Sequence, residues 1–212
     1  AGGARDVTTL ATVPAEQRSV AHIVARAPGV IAGGAVIRVV LDSVSRRLES
    51  APVQVQVGVD DGAGVARGDV VAMLIGSTRI MLLAERTILN LLCRMSGVAT
   101  HTRAWSEALS GTGAVVLDTR KTTPGLRALE KYAVRVGGGR NKRMGLYDVA
   151  MIKDNHKRAA GSITAAYTAI RAAFPEVDIE VEVTTQEEAI EAVRAGARFL
   201  LLDNFAVRDL AP

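Results

Sequence analysis

Basic side chains are concentrated in one stretch of the sequence, residues 118–158. This stretch has eleven Lys and Arg but only four Asp and Glu, whereas the whole chain has 26 basic and 22 acidic side chains. The formal net charge of +4 is therefore local and is not a property of the whole surface. Because such a cluster concentrates anions around it, we expect a site for an anionic ligand here.

Four short apolar segments carry polar residues at or just beyond their carboxyl ends. They are 115–117, followed by Asp118, Thr119, Arg120 and Lys121; 149–152, followed by Lys153; 179–183, which contains Glu180 and Glu182; and 199–202, followed by Asp203. Helical patterns separate the segments, which predicts right-handed βαβ connections and parallel strands. The carboxyl ends of such strands meet at the mouth of an α/β barrel. We therefore expect these cations and carboxylates to face one pocket.

Individual positions differ in what their surroundings require. A lysine at the end of an apolar strand, as at Lys153, needs a partner or an anionic ligand. Glu180 and Glu182 point to the same side of their strand, and Glu182 lies nearer the carboxyl end, so we take Glu182 as the candidate. Lys142 and Arg143 follow three glycines, a pattern that is also typical of a flexible basic loop.

Composition excludes several classes of function. Aromatic residues make up only 3% of the chain, so platforms for stacking nucleic-acid bases are scarce. The three histidines lack metal-ligand spacing, and a single cysteine excludes an internal disulfide and a cysteine-based zinc site. We find neither a membrane-spanning segment nor a signal-peptide pattern. We expect a cytoplasmic location and no binding to nucleic acid or membrane.

The N-terminal half has a different pattern. Residues 6–19 predict a loop and a short edge strand, while strict alternation of valine over 53–59 predicts a half-buried strand. Apolar spacing predicts helices over 35–48 and 81–95. Ser96 and Gly97 are expected to weaken the second of these helices, and a further helical pattern follows them as far as Leu109.

This change of pattern places a domain boundary near Gly97. We predict an N-terminal domain over 1–97 and a catalytic domain over 98–212. Because no glycine-rich dinucleotide motif follows the first strand of the second domain, part of an α/β barrel is the better interpretation.

Seven groups of residues together resemble the quinolinate phosphoribosyltransferase family. They are Ala84 to Asn90, Ser96 to Thr100, Asp118 to Pro124, Lys131 to Arg135, Gly137 to Arg143, Ile152 to His156, and Leu202 to Phe205. The resemblance covers nearly the whole chain, and its motifs are long and ungapped.

The resemblance implies an α/β class with an N-terminal α/β-sandwich domain and an incomplete parallel α/β barrel, assembled as a homodimer. It also implies an enzyme that uses Mg²⁺ as a cofactor and converts quinolinate and phosphoribosyl pyrophosphate into nicotinate mononucleotide, pyrophosphate and CO2. By position, the implied carboxylate-binding residues and their pocket partners are Thr119, Arg120, Lys121, Lys142, Arg143 and Lys153. Glu182 and Asp203 would lie near the ribose and the metal, with Lys153 as the catalytic cation. Arg86 would come from the neighbouring subunit.

The sequence departs from the family pattern in two ways. Lys142 stands where the family usually has histidine, which could alter carboxylate binding or substrate choice. The sequence also stops soon after Asp203, where the family continues into further barrel strands. We therefore expect the C-terminal barrel strands to be missing here, which puts the activity of this chain in doubt.

Several other functions fit the residues. The enzyme could use another pyridine acid, or it could be a barrel enzyme that forms a Schiff base through Lys153. The basic stretch could instead bind a nucleic-acid backbone, in which case affinity would fall steeply with salt. An inactive homologue or fragment is a further alternative.

Overall fold

The computed structural model describes residues 6–210, which form two compact units divided after Lys142. The elements of the first unit are α1 (Val7–Thr12), β1 (Arg18–Val24), β2 (Gly29–Val30), α2 (Gly34–Arg47), β3 (Gln54–Val57), β4 (Gly64–Val65), β5 (Val70–Ser77), α3 (Thr78–Ala108) and α4 (Arg127–Val136). Those of the second unit are β6 (Val149–Ile152), α5 (Asp154–Ala160), α6 (Ile163–Ala173), β7 (Asp178–Val183), α7 (Gln186–Arg194), β8 (Phe199–Leu202) and a 3-10 turn (Val207–Leu210).

An antiparallel sheet with the order β1-β5-β3 packs against α2 and α3 in the first unit. Along β3, Val55 is buried and the flanking Gln54 and Gln56 are exposed, as the sequence predicts, but Val57 at the end of the strand is exposed as well. Ile37 and Leu41 of α2 lie in the same core. The strand and helix predicted over 35–59 are therefore confirmed.

Two N-terminal predictions were wrong. Residues 7–12 form the short helix α1, because the Asp6 carboxylate accepts hydrogen bonds from the backbone N and the Oγ1 of Thr9. The helix α3 also continues through Gly97 without a break. A helical glycine costs about 1 kcal/mol, and burial of Met95 and Ala99 on either side offsets that cost. The predicted domain boundary at Gly97 stays a prediction.

The second unit contains a parallel sheet with the order β6-β7-β8. The bounds of β6 and β8 agree with the predicted apolar segments. One face of the sheet packs with α6 and α7 through Ile152, Val181, Val183, Tyr167 and Ala192. Since side chains alternate along a strand, the opposite face carries Met151, Glu180, Glu182 and Leu201. The polar residues thus share the face that the helices do not cover.

Residues 115–117 do not form the regular strand that their apolar character predicts. Pairing is limited to a single parallel bridge between Leu117 and Arg140. Two backbone hydrogen bonds hold it, from Arg140 N to Val116 O (2.8 Å) and from Asp118 N to Arg140 O (3.1 Å). This bridge still fixes where Asp118 begins the next loop.

Candidate functional site

The loop that follows Asp118 presents three polar residues. Thr119 and Lys121 are exposed, and the Thr119 hydroxyl accepts a hydrogen bond of 3.0 Å from the backbone N of Lys121. Arg120 is half-buried, and its buried Nε has no hydrogen-bond partner within residues 6–210. A buried donor without an acceptor is unfavourable, so Arg120 is prepared for an acceptor that the protein itself does not supply.

The Asp118 carboxylate organises the start of this loop. Its Oδ1 accepts from Lys131 Nζ at 2.5 Å and from the backbone N of Lys142 at 2.8 Å. Its Oδ2 accepts from Asn141 Nδ2 at 2.6 Å. Because Asp118 and Lys131 are both buried, the loop begins from a fixed point.

Glu130 fixes the far end of the loop. Its carboxylate accepts a hydrogen bond of 3.1 Å from Thr123 N and forms an ion pair of 2.8 Å with Arg94. Arg94 also donates to the Thr123 hydroxyl at 3.0 Å. Burial alone would raise the pKa of Glu130, but the hydrogen bonds from Thr123 and Arg94 outweigh it and lower the pKa.

The three glycines before Asn141 provide close packing. A Cβ on Gly137 would lie 2.5 Å from the carbonyl oxygen of Ala99 on α3, and one on Gly139 would lie 2.7 Å from Val134. Only residues without a side chain allow the chain to approach α3 this closely. Lys142 therefore follows a closely packed segment, while the interpretation of Lys142 and Arg143 as a flexible basic loop stays open.

In the second unit, Lys153 and Glu182 form an ion pair at the ends of neighbouring strands. Lys153 Nζ lies 2.5 Å from Glu182 Oε2, and the two side chains are 44% and 15% exposed. Lys153 is thus less buried than its apolar strand predicts, because it stands at the carboxyl end where α5 begins. The partner that we expected for this lysine is Glu182.

Asp203 follows the next strand on the same face of the sheet. Its backbone N donates to Val183 O at 2.9 Å, which continues the β7–β8 ladder, and alternation places it on the side of Leu201 and Glu182. Asn204 adopts a left-handed conformation, with φ of 59°, and donates to Asp203 Oδ2 at 3.1 Å. The Glu182 and Asp203 carboxylates therefore lie on the same face, at the carboxyl ends of the neighbouring strands β7 and β8.

Arg143 lies over the first strand of this sheet. Its guanidinium contacts Met151 Sδ at 3.1 Å and the carbonyl oxygen of Val149 at 3.3 Å. Since Met151 shares its face with Glu180, Arg143 belongs to the polar face. The second unit thus brings Arg143, Lys153, Glu182 and Asp203 to one side of the sheet.

Lys157 contacts the carboxyl end of β7 and links it to α5 and α7. It forms ion pairs of 2.8 Å with both Asp154 and Glu188 and donates to Glu182 O at 3.3 Å. Burial alone would lower the pKa of Lys157, but these carboxylates raise it above its usual value. Glu188 in turn accepts from Thr184 N at 2.8 Å, which ties the end of β7 to α7.

Sequence reasoning missed the supporting residues Glu130, Lys131 and Lys157. Glu130 and Lys131 are buried on the amphipathic helix α4, and a charged residue at a buried helical position would have been the available indication. Arg86, in contrast, is an exposed residue of α3.

Residues 6–210 contain no cluster of three or more His, Cys, Asp or Glu that could hold a metal ion. No helix in the same range combines the length and apolar character needed to cross a bilayer.

A parallel sheet with charged residues at the carboxyl ends of its strands is a common arrangement in α/β enzymes. Two family models match this chain: quinolinate phosphoribosyl transferase, N-terminal domain, over residues 6–96, and the C-terminal domain of the same family over residues 98–212. The chain belongs to the quinolinate phosphoribosyl transferase family.

Individual relatives agree with the family match. A nicotinate-nucleotide pyrophosphorylase (carboxylating) of Mycobacterium leprae is 50% identical over 202 residues, which cover 95% of this chain and 70% of that protein. A probable enzyme of the same name from Bacillus subtilis is 44% identical over 203 residues, covering 95% and 68%. The crystal structure of NadC from Streptococcus pyogenes matches with a TM-score of 0.89 at 40% identity, covering 97% of this chain and 71% of that one. The predicted fold class is confirmed.

Proposed function

We propose that this protein transfers the phosphoribosyl group of phosphoribosyl pyrophosphate to quinolinate, with decarboxylation. The products are nicotinate mononucleotide, pyrophosphate and CO2, and the reaction belongs to NAD synthesis. The observation that carries this proposal is the match of both domain models, over residues 6–96 and 98–212. The carboxylating pyrophosphorylases among its relatives are named for the reverse direction of the same reaction.

Quinolinate is a dicarboxylate, and the proposed site offers the cations that such a ligand needs. Arginine suits bidentate contact with a carboxylate, whereas lysine acts as a point charge. The proposed ligand-binding residues are Thr119, Arg120, Lys121, Lys142, Arg143 and Lys153. The unpartnered Nε of Arg120 is the strongest structural support, because a carboxylate would supply its missing acceptor.

Glu182 and Asp203 are the proposed partners of the ribose and of Mg²⁺. Magnesium prefers oxygen ligands and usually combines one or two carboxylates with substrate phosphates. Two carboxylates on one face of neighbouring strand ends fit this requirement, although they do not form a complete metal site by themselves. When bound, Mg²⁺ would neutralise the charge of the pyrophosphate.

The proposed reaction has two steps: positive charge develops on the ribose in the first, and negative charge develops on the pyridine ring in the second. As the ring nitrogen of quinolinate bonds to ribose C1, the C1–O bond breaks and its electron pair leaves with pyrophosphate. The positive charge that develops on the ribose is stabilised by Glu182 and Asp203. In the second step the C–C bond to the 2-carboxylate breaks, CO2 leaves, and the pair remaining on the ring carbon takes a proton. Fixed cations such as Lys153 stabilise that ring charge.

The active form is proposed to be a homodimer or a higher homo-oligomer in the cytoplasm. The exposed position of Arg86 supports a role for this residue across the interface between subunits. The single free Cys93 is exposed, which suits a reducing compartment.

A product assay tests the proposed reaction. The protein is incubated with phosphoribosyl pyrophosphate, Mg²⁺ and either quinolinate or nicotinate, and nicotinate mononucleotide and CO2 are measured. We expect nicotinate mononucleotide and CO2 from quinolinate and no product from nicotinate. Product from nicotinate, with none from quinolinate, would show that the substrate is a different pyridine acid. Borohydride trapping of a carbonyl substrate on Lys153 would favour the Schiff-base alternative instead.

A further inference from the structure

A buried ion pair lies behind the loop that we assign to quinolinate. The side chains of Lys131 and Asp118 are only 2% and 4% exposed, and their charged atoms are 2.5 Å apart. Removing two charges from water is unfavourable, so a buried pair contributes little net stability compared with apolar side chains. Net stability therefore does not explain why Lys131 and Asp118 are both buried.

The contacts of Asp118 indicate that reason. This one carboxylate accepts three hydrogen bonds, and two of them come from Asn141 and Lys142 on the segment that follows the glycines. Asn141 Nδ2 also contacts the carbonyl oxygen of Lys131 at 2.7 Å. Asp118 thus joins the loop that carries Arg120 to the segment that carries Lys142.

Neighbouring residues of α4 hold both ends of the Arg120 loop. Lys131 holds its first end at Asp118 through the buried ion pair, and Glu130 holds its other end at Thr123 N at 3.1 Å. The loop therefore takes its position from one turn of one helix. A substrate-binding residue that must be accurate to a fraction of an ångström needs such support.

We propose that Asp118, Lys131 and Asn141 form a positioning unit for the quinolinate site. These residues do not touch the substrate; they set Arg120 and Lys142 at the separation that the dicarboxylate requires. The proposal rests on the function proposed above, because it assumes that Arg120 and Lys142 bind quinolinate.

Asn141→Ala is the first test, because it removes two hydrogen bonds and leaves the buried ion pair in place. Quinolinate affinity, measured by calorimetry, should fall roughly tenfold to a hundredfold, by analogy with residues that orient the ligands of a metal ion. The matched control is Ser162→Ala, which removes the N-terminal cap of α6. Its affinity should stay within about twofold of the unmodified protein, while circular dichroism shows both variants folded.

A charge-compensating double variant provides a second test, which also distinguishes a loss of positioning from a loss of folding. Lys131→Met leaves a buried carboxylate without its cation and should lower quinolinate affinity at least as much as Asn141→Ala. Adding Asp118→Asn removes the stranded charge and keeps an oxygen that accepts from Lys142 N, but its amide nitrogen then faces Asn141 Nδ2, which is also a donor. Affinity should therefore recover only in part. Recovery of the thermal midpoint without recovery of affinity would show a purely structural pair and would overturn the proposal.

The outcomes separate this proposal from the proposed function. If the unmodified protein does not bind quinolinate, the proposed function fails. If it does bind, unchanged affinity in Asn141→Ala overturns the positioning unit alone. Equal losses in Asn141→Ala and Ser162→Ala would also overturn it, because they would reflect general destabilisation.

Discussion

Two of the candidate cations are prepared for a ligand in different ways. Arg120 keeps a buried donor without a partner, whereas Lys153 already contacts Glu182. A carboxylate that reaches Arg120 gains a hydrogen bond without displacing a protein partner. One that reaches Lys153 must share the ammonium with Glu182. Arg120 should therefore contribute more to affinity, and Lys153 more to orientation and charge.

Arg120→Ala should lower quinolinate affinity about tenfold to a hundredfold, because a hydrogen bond to a charged group contributes about 1.5–3 kcal/mol. The free energy of unfolding should change little, since the buried Nε loses no protein partner. Calorimetry with quinolinate measures the first quantity and urea unfolding the second. Arg46→Ala, an exposed arginine of α2, is the control. Unchanged affinity in Arg120→Ala would remove this residue from the site.

Sequence patterns found the residues at strand ends but not their supports. Lys153, Glu182 and Asp203 were predictable because apolar segments lead directly into them. Lys131 was not identified as a support, because its partner Asp118 is thirteen residues away and the pair forms only when α4 packs. That Arg120 meets the three strand-end residues at one pocket stays a prediction.

At the scale of elements, α4 supports the substrate loop through a charged group. The Glu130 carboxylate holds Thr123 and pairs with Arg94, and its pKa lies below the ordinary value of 4.5. A carboxylate with a lowered pKa in the folded state stabilises the fold fully above its unfolded pKa. This contribution is lost as pH falls through the lower, folded pKa.

Glu130→Gln should reveal this contribution as a dependence of stability on pH. At pH 7 the variant should lose about 1.5 kcal/mol of unfolding free energy, at the low end for hydrogen bonds to a charged group because Arg94 is half exposed. The difference from the unmodified protein should begin to shrink near pH 4.5, where the unfolded state takes up the proton, and should vanish once pH falls through the lower pKa of folded Glu130. Urea unfolding at several pH values measures it. A difference that does not vary with pH would contradict the role of the ionised carboxylate.

Elements were predicted well where one periodicity dominated. The bounds of β6 and β8 agree with the predicted apolar segments. Local propensity failed at Gly97, where tertiary packing on both sides carries the helix through. It also failed at 115–117, where only one bridge pairs the backbone. In each case contacts between distant residues decided the structure.

At the scale of the whole molecule, the two family models together match residues 6–96 and 98–212. The proposed oligomer would give the exposed Arg86 a function. An arginine on the exposed side of α3 can serve a site in a second copy of the chain. In a symmetric dimer, each subunit would then complete the site of the other.

Mixing two variants of low activity tests this arrangement. At a quinolinate concentration well below the dissociation constants of the variants, Arg86→Ala and Arg120→Ala should each lose most of the activity. In a mixed dimer, one site keeps Arg120 and receives an intact Arg86 from its partner. Random exchange makes about half of the dimers mixed, so activity should recover to roughly a quarter of the unmodified level. No recovery, despite subunit exchange shown by mass spectrometry, would place Arg86 in the site of its own subunit.

The unbroken helix α3 fixes the spacing of three arginines. Arg86, Arg94 and Arg103 lie on one rod, and the latter two bind Glu130 and Gly137 O respectively. With a rise of about 1.5 Å per residue, Arg86 lies roughly 12 Å along the axis from Arg94. One residue inserted between them would swing Arg86 by about 100° around the rod, whereas four would nearly restore its direction. Between Arg86 and Arg94, substitutions should therefore be tolerated far more readily than insertions or deletions.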